Sequence, residues 1–80
     1  MRIVRSNTFK RRFKKAPEDI QRRTEKALRL LLTDLRHPSL RAKIFDETRR
    51  IWQARVSRSW RIYFHIEDDT YKLLTLREHK

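Results

Sequence analysis

The stretch that decides the fold is IWQARVSRSWRIYFHI, residues 51–66. Apolar and polar residues alternate on both sides of Ser57-Arg58-Ser59, with the period of two that is typical of a half-buried β-strand. The serines between the two alternating runs fit a turn. This stretch therefore predicts a β-hairpin with one apolar face and one polar face.

The residues that follow predict one more strand. Glu67-Asp68-Asp69-Thr70 fits a second hairpin turn, and residues 71–77 fit a last strand that carries Leu74 and Leu76 on one side. Tyr71 and Leu73 are then expected on the opposite side, either as contacts to a partner or as part of a small second core. The last three strands form an antiparallel meander.

The residues before the hairpin predict a strand and two helices. Residues 2–5 are short and β-branched, and Ser6-Asn7-Thr8 then offers side chains that can cap a helix ending at Pro17. From Pro17 onward, apolar residues at helical spacing predict a helix of about five turns with Arg36 and His37 in its last turn. Residues 39–50 are expected to form a loop.

These elements define one small α+β domain that covers residues 1–80. The order is β-α-α-β-β-β, and the helical hairpin is expected to pack on one face of a mainly antiparallel four-stranded sheet. The chain has no Gly, which excludes a Walker loop and a dinucleotide fingerprint. It has no Cys and no closely spaced pair of His, so we expect neither a metal site nor a cofactor. No apolar run approaches the length of a membrane span.

The charge of the chain indicates a polyanionic partner. It contains 22 Lys and Arg against 10 Asp and Glu, a formal net charge of +12. Such a surface suits a phosphate backbone, because its neutralisation releases counterions. An anionic membrane or an acidic protein would also fit, and a soluble basic protein without any polyanionic partner is the alternative.

The polar face of the predicted sheet carries the functional hypothesis. If the even-numbered residues pack on the helices, the odd-numbered ones share the other face. Arginines there can hold a phosphodiester, imidazoles can transfer protons near neutral pH, and a tyrosine can stack on a base. An ordinary solvated sheet face is the alternative. The residues expected on this face are Gln53, Arg55, Arg61, Tyr63, His65, Arg77 and His79.

Four stretches together resemble the RelE/ParE superfamily of toxins, in particular its RelE- and YafQ-like branch. The strongest is residues 51–64, which are similar to the double strand of that superfamily. The others are SNTF at 6–9, PEDI at 17–20 and HPSLRAK at 37–43. The likeness spans nearly the whole chain.

The resemblance implies a cytoplasmic toxin that a cognate antitoxin protein neutralises. RelE- and YafQ-like members cut mRNA on the ribosome, whereas ParE-like members inhibit DNA gyrase without nuclease chemistry. At the positions that match the nuclease members, the resemblance implies that Arg61 contacts the scissile phosphate and that Arg55 supports Arg61. It implies that His79 acts as the acid or the base. The same likeness and the basic face give the expected RNA-binding residues: Lys43, Arg58, Tyr63, His65 and Arg77.

The end of the chain departs from the nuclease pattern. Nuclease members usually have Gly before the catalytic His and continue beyond it, whereas Arg77-Glu78 precede His79 and Lys80 follows it. We therefore expect His79 to fray. Two other functions stay open: a ParE-like gyrase inhibitor, and a non-toxic module that binds nucleic acid.

Overall fold

The computed structural model describes residues 1–79, which form one five-stranded sheet with two helices against one of its faces. The strand order is β1-β5-β4-β3-β2; β1 runs parallel to β5, and all other neighbours are antiparallel. The predicted α+β class and helical hairpin are confirmed. The elements are β1 Arg2–Arg5, α1 Asn7–Lys15, α2 Glu18–Thr33, β2 Lys43–Asp46, β3 Ile51–Arg55, β4 Trp60–Glu67 and β5 Thr70–Glu78.

The fifth strand lies where the sequence predicts a loop. Strand β2 pairs with β3 at the edge of the sheet, with Lys43 opposite Gln53 and Ile44 opposite Trp52. It has four residues, and its register shifts before Asp46. A strand this short and irregular shows too little alternation to be found by its period, so the prediction of a loop over residues 39–50 is wrong for this segment.

Hydrogen bonds to side chains set the ends of both helices. The Ser6 hydroxyl accepts a hydrogen bond from the Phe9 amide at 3.0 Å, so Ser6 is the cap of α1 among the three residues predicted to supply it. Helix α2 ends at Thr33, with Asp34 as its C-cap, so the prediction that Arg36 and His37 lie in its last turn is wrong. The reason is that an oxygen of the Asp34 carboxylate accepts from the Arg36 amide at 3.0 Å, forming a turn that competes with the helix. Neither helix within residues 1–79 is long and apolar enough to span a membrane.

The core lies between the helices and the sheet. Phe9 on α1 and an apolar stripe on α2 pack against the even-numbered residues of β3 and β4. The stripe includes the buried Thr24. Its hydroxyl donates a hydrogen bond to the Ile20 carbonyl oxygen at 2.7 Å, so this buried polar group has a partner. The buried residues of the core include Phe9, Ile20, Ala27, Leu28, Leu31, Ala54, Ile62, Phe64 and Leu76.

A β-bulge changes which side chains of β5 face the helices. Tyr63 lies opposite Thr75, but the next residue, Phe64, lies opposite Leu73, so Leu74 is an extra residue in β5. Tyr71 and Leu73 therefore turn to the core, where they are 3% and 1% exposed. The expectation that they lie on the opposite face is wrong, and burial raises the pKa of the Tyr71 phenol.

The bulge predicts unequal costs for two neighbouring leucines. We expect Leu73→Ala to lower the free energy of unfolding by about 2–5 kcal/mol, because it leaves a cavity in the core. Leu74→Ala should cost about 1 kcal/mol, because Leu74 is only partly buried. Urea denaturation followed by tryptophan fluorescence measures both values. Equal costs, or a larger cost at Leu74, would mean that β5 keeps strict alternation.

Candidate nucleic-acid interface

The sheet face opposite the helices, which we call the open face, carries its charges in cross-strand rows. Arg61 on β4 lies opposite Arg55 on β3 and opposite Arg77 on β5, so three arginines form one row across three strands. The neighbouring row is less charged and consists of Lys43, Gln53, Tyr63 and Thr75. The basic face that the sequence predicts therefore has its highest density of positive charge at the Arg61 end.

Arg61 is held in place by the turn between β3 and β4. Its Nη1 donates to the carbonyl oxygens of Ser57 at 2.8 Å and Trp60 at 3.1 Å, with a longer contact to that of Arg58 at 3.3 Å. The guanidinium is thus oriented before any ligand arrives. A fixed cation of this kind can stabilise developing negative charge without reorganising during a reaction.

The same turn also holds the last described residue of the chain. The amide of His79 donates to the carbonyl oxygen of Ser59, which extends the β4–β5 ladder beyond Glu78. This hydrogen bond ties the His79 backbone to the turn, and the expectation that the residue frays stays a prediction. Its imidazole is exposed and lines, together with Arg61, a groove of about 390 Å³. We call this the Arg61 groove; its lining residues are Lys43, Ile44, Phe45, Gln53, Arg61 and His79.

The exposed aromatic of the open face is Phe45 rather than Tyr63. Tyr63 is only 8% exposed, and Phe45 covers it edge to face with the ring centroids 4.9 Å apart. Phe45 itself is 57% exposed and lines the Arg61 groove. A base that stacks on this face would therefore meet Phe45 first. Sequence reasoning missed this residue because it lies in the short strand that was predicted to be a loop.

The other predicted residues lie at different distances from the Arg61 groove. Arg58 is exposed in the turn, and Arg77 lines a smaller hollow beside Phe45 and Tyr63. Arg55 is next to Arg61 in register, but it borders a separate hollow against α2. His65 lies on β4 beyond Tyr63, where its Nδ1 is 3.0 Å from the carbonyl oxygen of Arg50. The structure thus brings Lys43, Arg61 and His79 together and leaves His65 apart.

The acidic residues of the open face lie at the end away from Arg61. Asp46 pairs with Arg49 at 3.8 Å, and Glu67 pairs with Lys72 at 2.8 Å. The hydrogen bond and the charge of Lys72 lower the pKa of the Glu67 carboxyl. Within residues 1–79, no ion pair involves Arg61 or the two arginines of its row. Like charges in neighbouring positions repel, so a bound anion would relieve this row.

The described part of the chain offers no cluster of metal ligands. Among residues 1–79, no group of three or more His, Asp or Glu side chains is placed to hold a metal ion.

Comparisons with known proteins identify the fold. No family model matches the sequence, and no curated protein matches it. Among solved structures, YafQ from E. coli strain BL21(DE3) is 14% identical with a TM-score of 0.79, over 95% of this chain and 90% of that chain. A YoeB/ParE toxin from Agrobacterium tumefaciens is 9% identical with a TM-score of 0.80, over 100% of both chains. RelE in the RelE–RelB complex from Pyrococcus horikoshii OT3 is 16% identical with a TM-score of 0.80, over 96% of this chain and 92% of that chain.

At these sequence identities the comparisons show the backbone fold and assign no role to individual residues. They confirm the expected resemblance at the level of the fold: the chain folds as the RelE, YafQ and YoeB/ParE proteins do.

Proposed function

We propose that the protein is the toxin of a toxin–antitoxin pair and that it inhibits translation by cutting mRNA on the ribosome. The observation that carries this proposal is the Arg61 groove, which combines a fixed guanidinium, a lysine and an exposed imidazole beside an exposed aromatic ring. Metal-free phosphodiester cleavage uses proton-transfer groups and a cation at the phosphate, and the groove supplies an imidazole and a fixed guanidinium. The fold shared with RelE and YafQ supports the same reading.

In the proposed reaction, the 2′-oxygen of the mRNA attacks the adjacent phosphorus and the bond to the 5′-oxygen breaks. One group removes the proton of the 2′-hydroxyl, and another protonates the leaving 5′-oxygen. His79 takes one of these roles. Arg61 uses Nη1 on the turn, which leaves Nε and Nη2 to bind the phosphate as its charge grows. Arg55 adds positive charge from the next strand.

The remaining residues of the open face bind the RNA on either side of the scissile phosphate. Lys43, Arg58 and Arg77 attract the backbone, and His65 contacts it further along β4. Phe45 takes the stacking role that the sequence assigns to Tyr63, while Tyr63 supports Phe45 from below.

An antitoxin is the proposed protein partner, and the cytoplasm is the proposed location. RelE from Pyrococcus horikoshii, which has this fold, was solved in a complex with RelB. With 12 excess positive charges, the chain would attract an acidic partner, and covering part of the open face would block access to mRNA.

A second candidate is inhibition of DNA gyrase. The fold is shared with a YoeB/ParE toxin, and the resemblance to ParE-like members implies gyrase inhibition without nuclease chemistry. A non-toxic module that binds nucleic acid on the same face is the third candidate.

Removing the Arg61 guanidinium should abolish most of the cleavage. We expect Arg61→Ala to slow cleavage in a reconstituted translation system by about 10²–10³-fold, the usual cost of losing one donor that stabilises a transition state. Primer extension locates the cuts. Arg61→Lys keeps the positive charge but loses the planar guanidinium that can hydrogen-bond the turn and the phosphate together. We therefore expect it to recover only part of the cleavage rate.

The matched control for this experiment is Arg22→Ala, since Arg22 is exposed on α2 and makes only an exposed pair with Glu18. Its cleavage rate should equal that of the wild type. Thermal denaturation of every variant shows whether loss of the contacts to the turn has unfolded the protein. A folded Arg61→Ala protein that cuts like the wild type would overturn the proposal. Inhibition of gyrase supercoiling without any mRNA cleavage would favour the second candidate.

The two histidines of the open face should differ in their effect. We expect His79→Gln to slow cleavage by about 10²–10⁴-fold, the range for loss of a general acid or base. His65→Gln should change the single-turnover rate by less than about tenfold, because His65 lies apart from the Arg61 groove and acts through binding alone. Single-turnover cleavage at saturating ribosomes measures both. A larger loss at His65 would place the proton transfer at the other end of the face.

Phe45 should contribute to RNA binding and little to folding. Base stacking on an aromatic ring contributes about 1–3 kcal/mol, so we expect Phe45→Ala to weaken binding of a short single-stranded RNA by that amount. Leu32→Ala is the control, because Leu32 is a similarly exposed apolar residue on α2, at 45%. Fluorescence anisotropy at fixed salt measures both. An unchanged RNA affinity of Phe45→Ala would show that no base stacks on Phe45.

A further inference from the structure

The HPSLRAK motif at residues 37–43 lines a second pocket, which shares only Lys43 and Ile44 with the Arg61 groove. The pocket has a volume of about 450 Å³ and lies between the end of α2, the motif and the edge strand β2. We call it the motif pocket. Its lining residues are Leu35, Arg36, His37, Pro38, Arg41, Ala42, Lys43, Ile44 and Trp52.

The chemistry of the motif pocket combines cations with apolar surface. Arg36, Arg41 and Lys43 line it, and no carboxylate does. Trp52 and Pro38 supply flat apolar surface, and one face of the Trp52 indole already stacks on Phe64 with the ring centroids 6.3 Å apart. A nucleotide presents the complementary pair of properties, because its sugar carries both an aromatic base and a phosphate.

The backbone and the histidine of the motif add two further features. Arg41 has φ of 45°, a left-handed conformation that costs energy for a residue other than glycine and that clusters at binding sites. The Nδ1 of His37 accepts a hydrogen bond from the Ser39 amide at 3.1 Å. In the neutral imidazole the proton is then on Nε2, so His37 offers the pocket a hydrogen-bond donor.

The motif pocket and the Arg61 groove lie on opposite sides of the edge strand β2. Lys43 and Ile44 line both of them, and the edge strand β2 is all that separates the two. Because the two hollows share Lys43 and Ile44, an RNA strand that leaves the Arg61 groove over β2 would enter the motif pocket. Lys43 lies at this crossing and can contact the phosphate between the two sites.

We propose that the motif pocket is a nucleotide subsite, in which a base packs against Trp52 and Pro38 and its phosphate binds Arg41 with Arg36. The subsite extends the RNA-binding surface of the proposed function, and it gives the HPSLRAK motif a role in selecting the nucleotide beside the cleavage point. His37 is the residue placed to discriminate between bases, through its Nε2 donor.

The test uses Trp52 as its own reporter. The chain has two tryptophans, so Trp60→Phe leaves Trp52 as the only indole. In this background we expect adenosine 5′-monophosphate to quench the fluorescence saturably, because a stacked base lies against the indole. Inorganic phosphate alone should not quench but should compete with the nucleotide. Arg41→Gln should weaken nucleotide binding about tenfold, and the same substitution at exposed Arg22 should have no effect.

Several outcomes would overturn the subsite. Fluorescence quenching that does not saturate, or that Arg41→Gln leaves unchanged, would show that the motif pocket is not a nucleotide subsite. Tighter binding of hexaglutamate than of the nucleotide would instead assign the pocket to an acidic peptide. The result is separable from the proposed function, because Arg61→Ala should keep the quenching while losing cleavage. Cleavage by a wild-type protein that shows no quenching would contradict the subsite alone.

Discussion

The pairing of β4 with β5, interrupted once at Leu74, is the constraint on which the rest of the structure depends. It places Ile62 and Phe64 in the core and leaves Arg61 and Tyr63 on the opposite side of the same strand. Without the bulge, β5 would present its residues in strict alternation, and Leu73 and Leu76 would point to opposite faces. The extra residue lets both of them pack under the helices, so the small core is filled and the open face is left to polar and charged groups.

A second constraint joins the fold to the candidate site. The turn between β3 and β4 accepts hydrogen bonds from the guanidinium of Arg61 and from the amide of His79. One short segment, Ser57–Ser59, therefore positions both groups to which the chemistry is assigned. The three arginines of the row lie close together without a carboxylate partner among residues 1–79. Such repulsion destabilises the free protein, and binding of an anion relieves it.

The sequence predicts the hairpin over residues 51–66, the apolar stripe of α2 and the position of Arg61, because each depends on a regular period within one element. It does not predict that Tyr71 and Leu73 are buried, since a bulge depends on how two strands meet and leaves no periodic signal in either. Phe45 is missed for a related reason: β2 has four residues and takes its register from β3. The end of α2 is misplaced because the Asp34 carboxylate competes for a backbone amide, a local contact that the apolar spacing does not reveal.

The central claim is that RNA binds the open face and crosses β2 at Lys43. The most direct test is to follow backbone amide resonances of the protein by NMR while adding a short RNA with a 2′-deoxy substitution at the cleavage point, which binds without being cut. We expect the largest shifts at residues on β2, on β4 near Arg61, and in the turn at Ser57–Ser59, with small shifts along α1. Shifts confined to the basic surface of α1 and α2 would contradict it, because the RNA would then bind the helical side of the molecule.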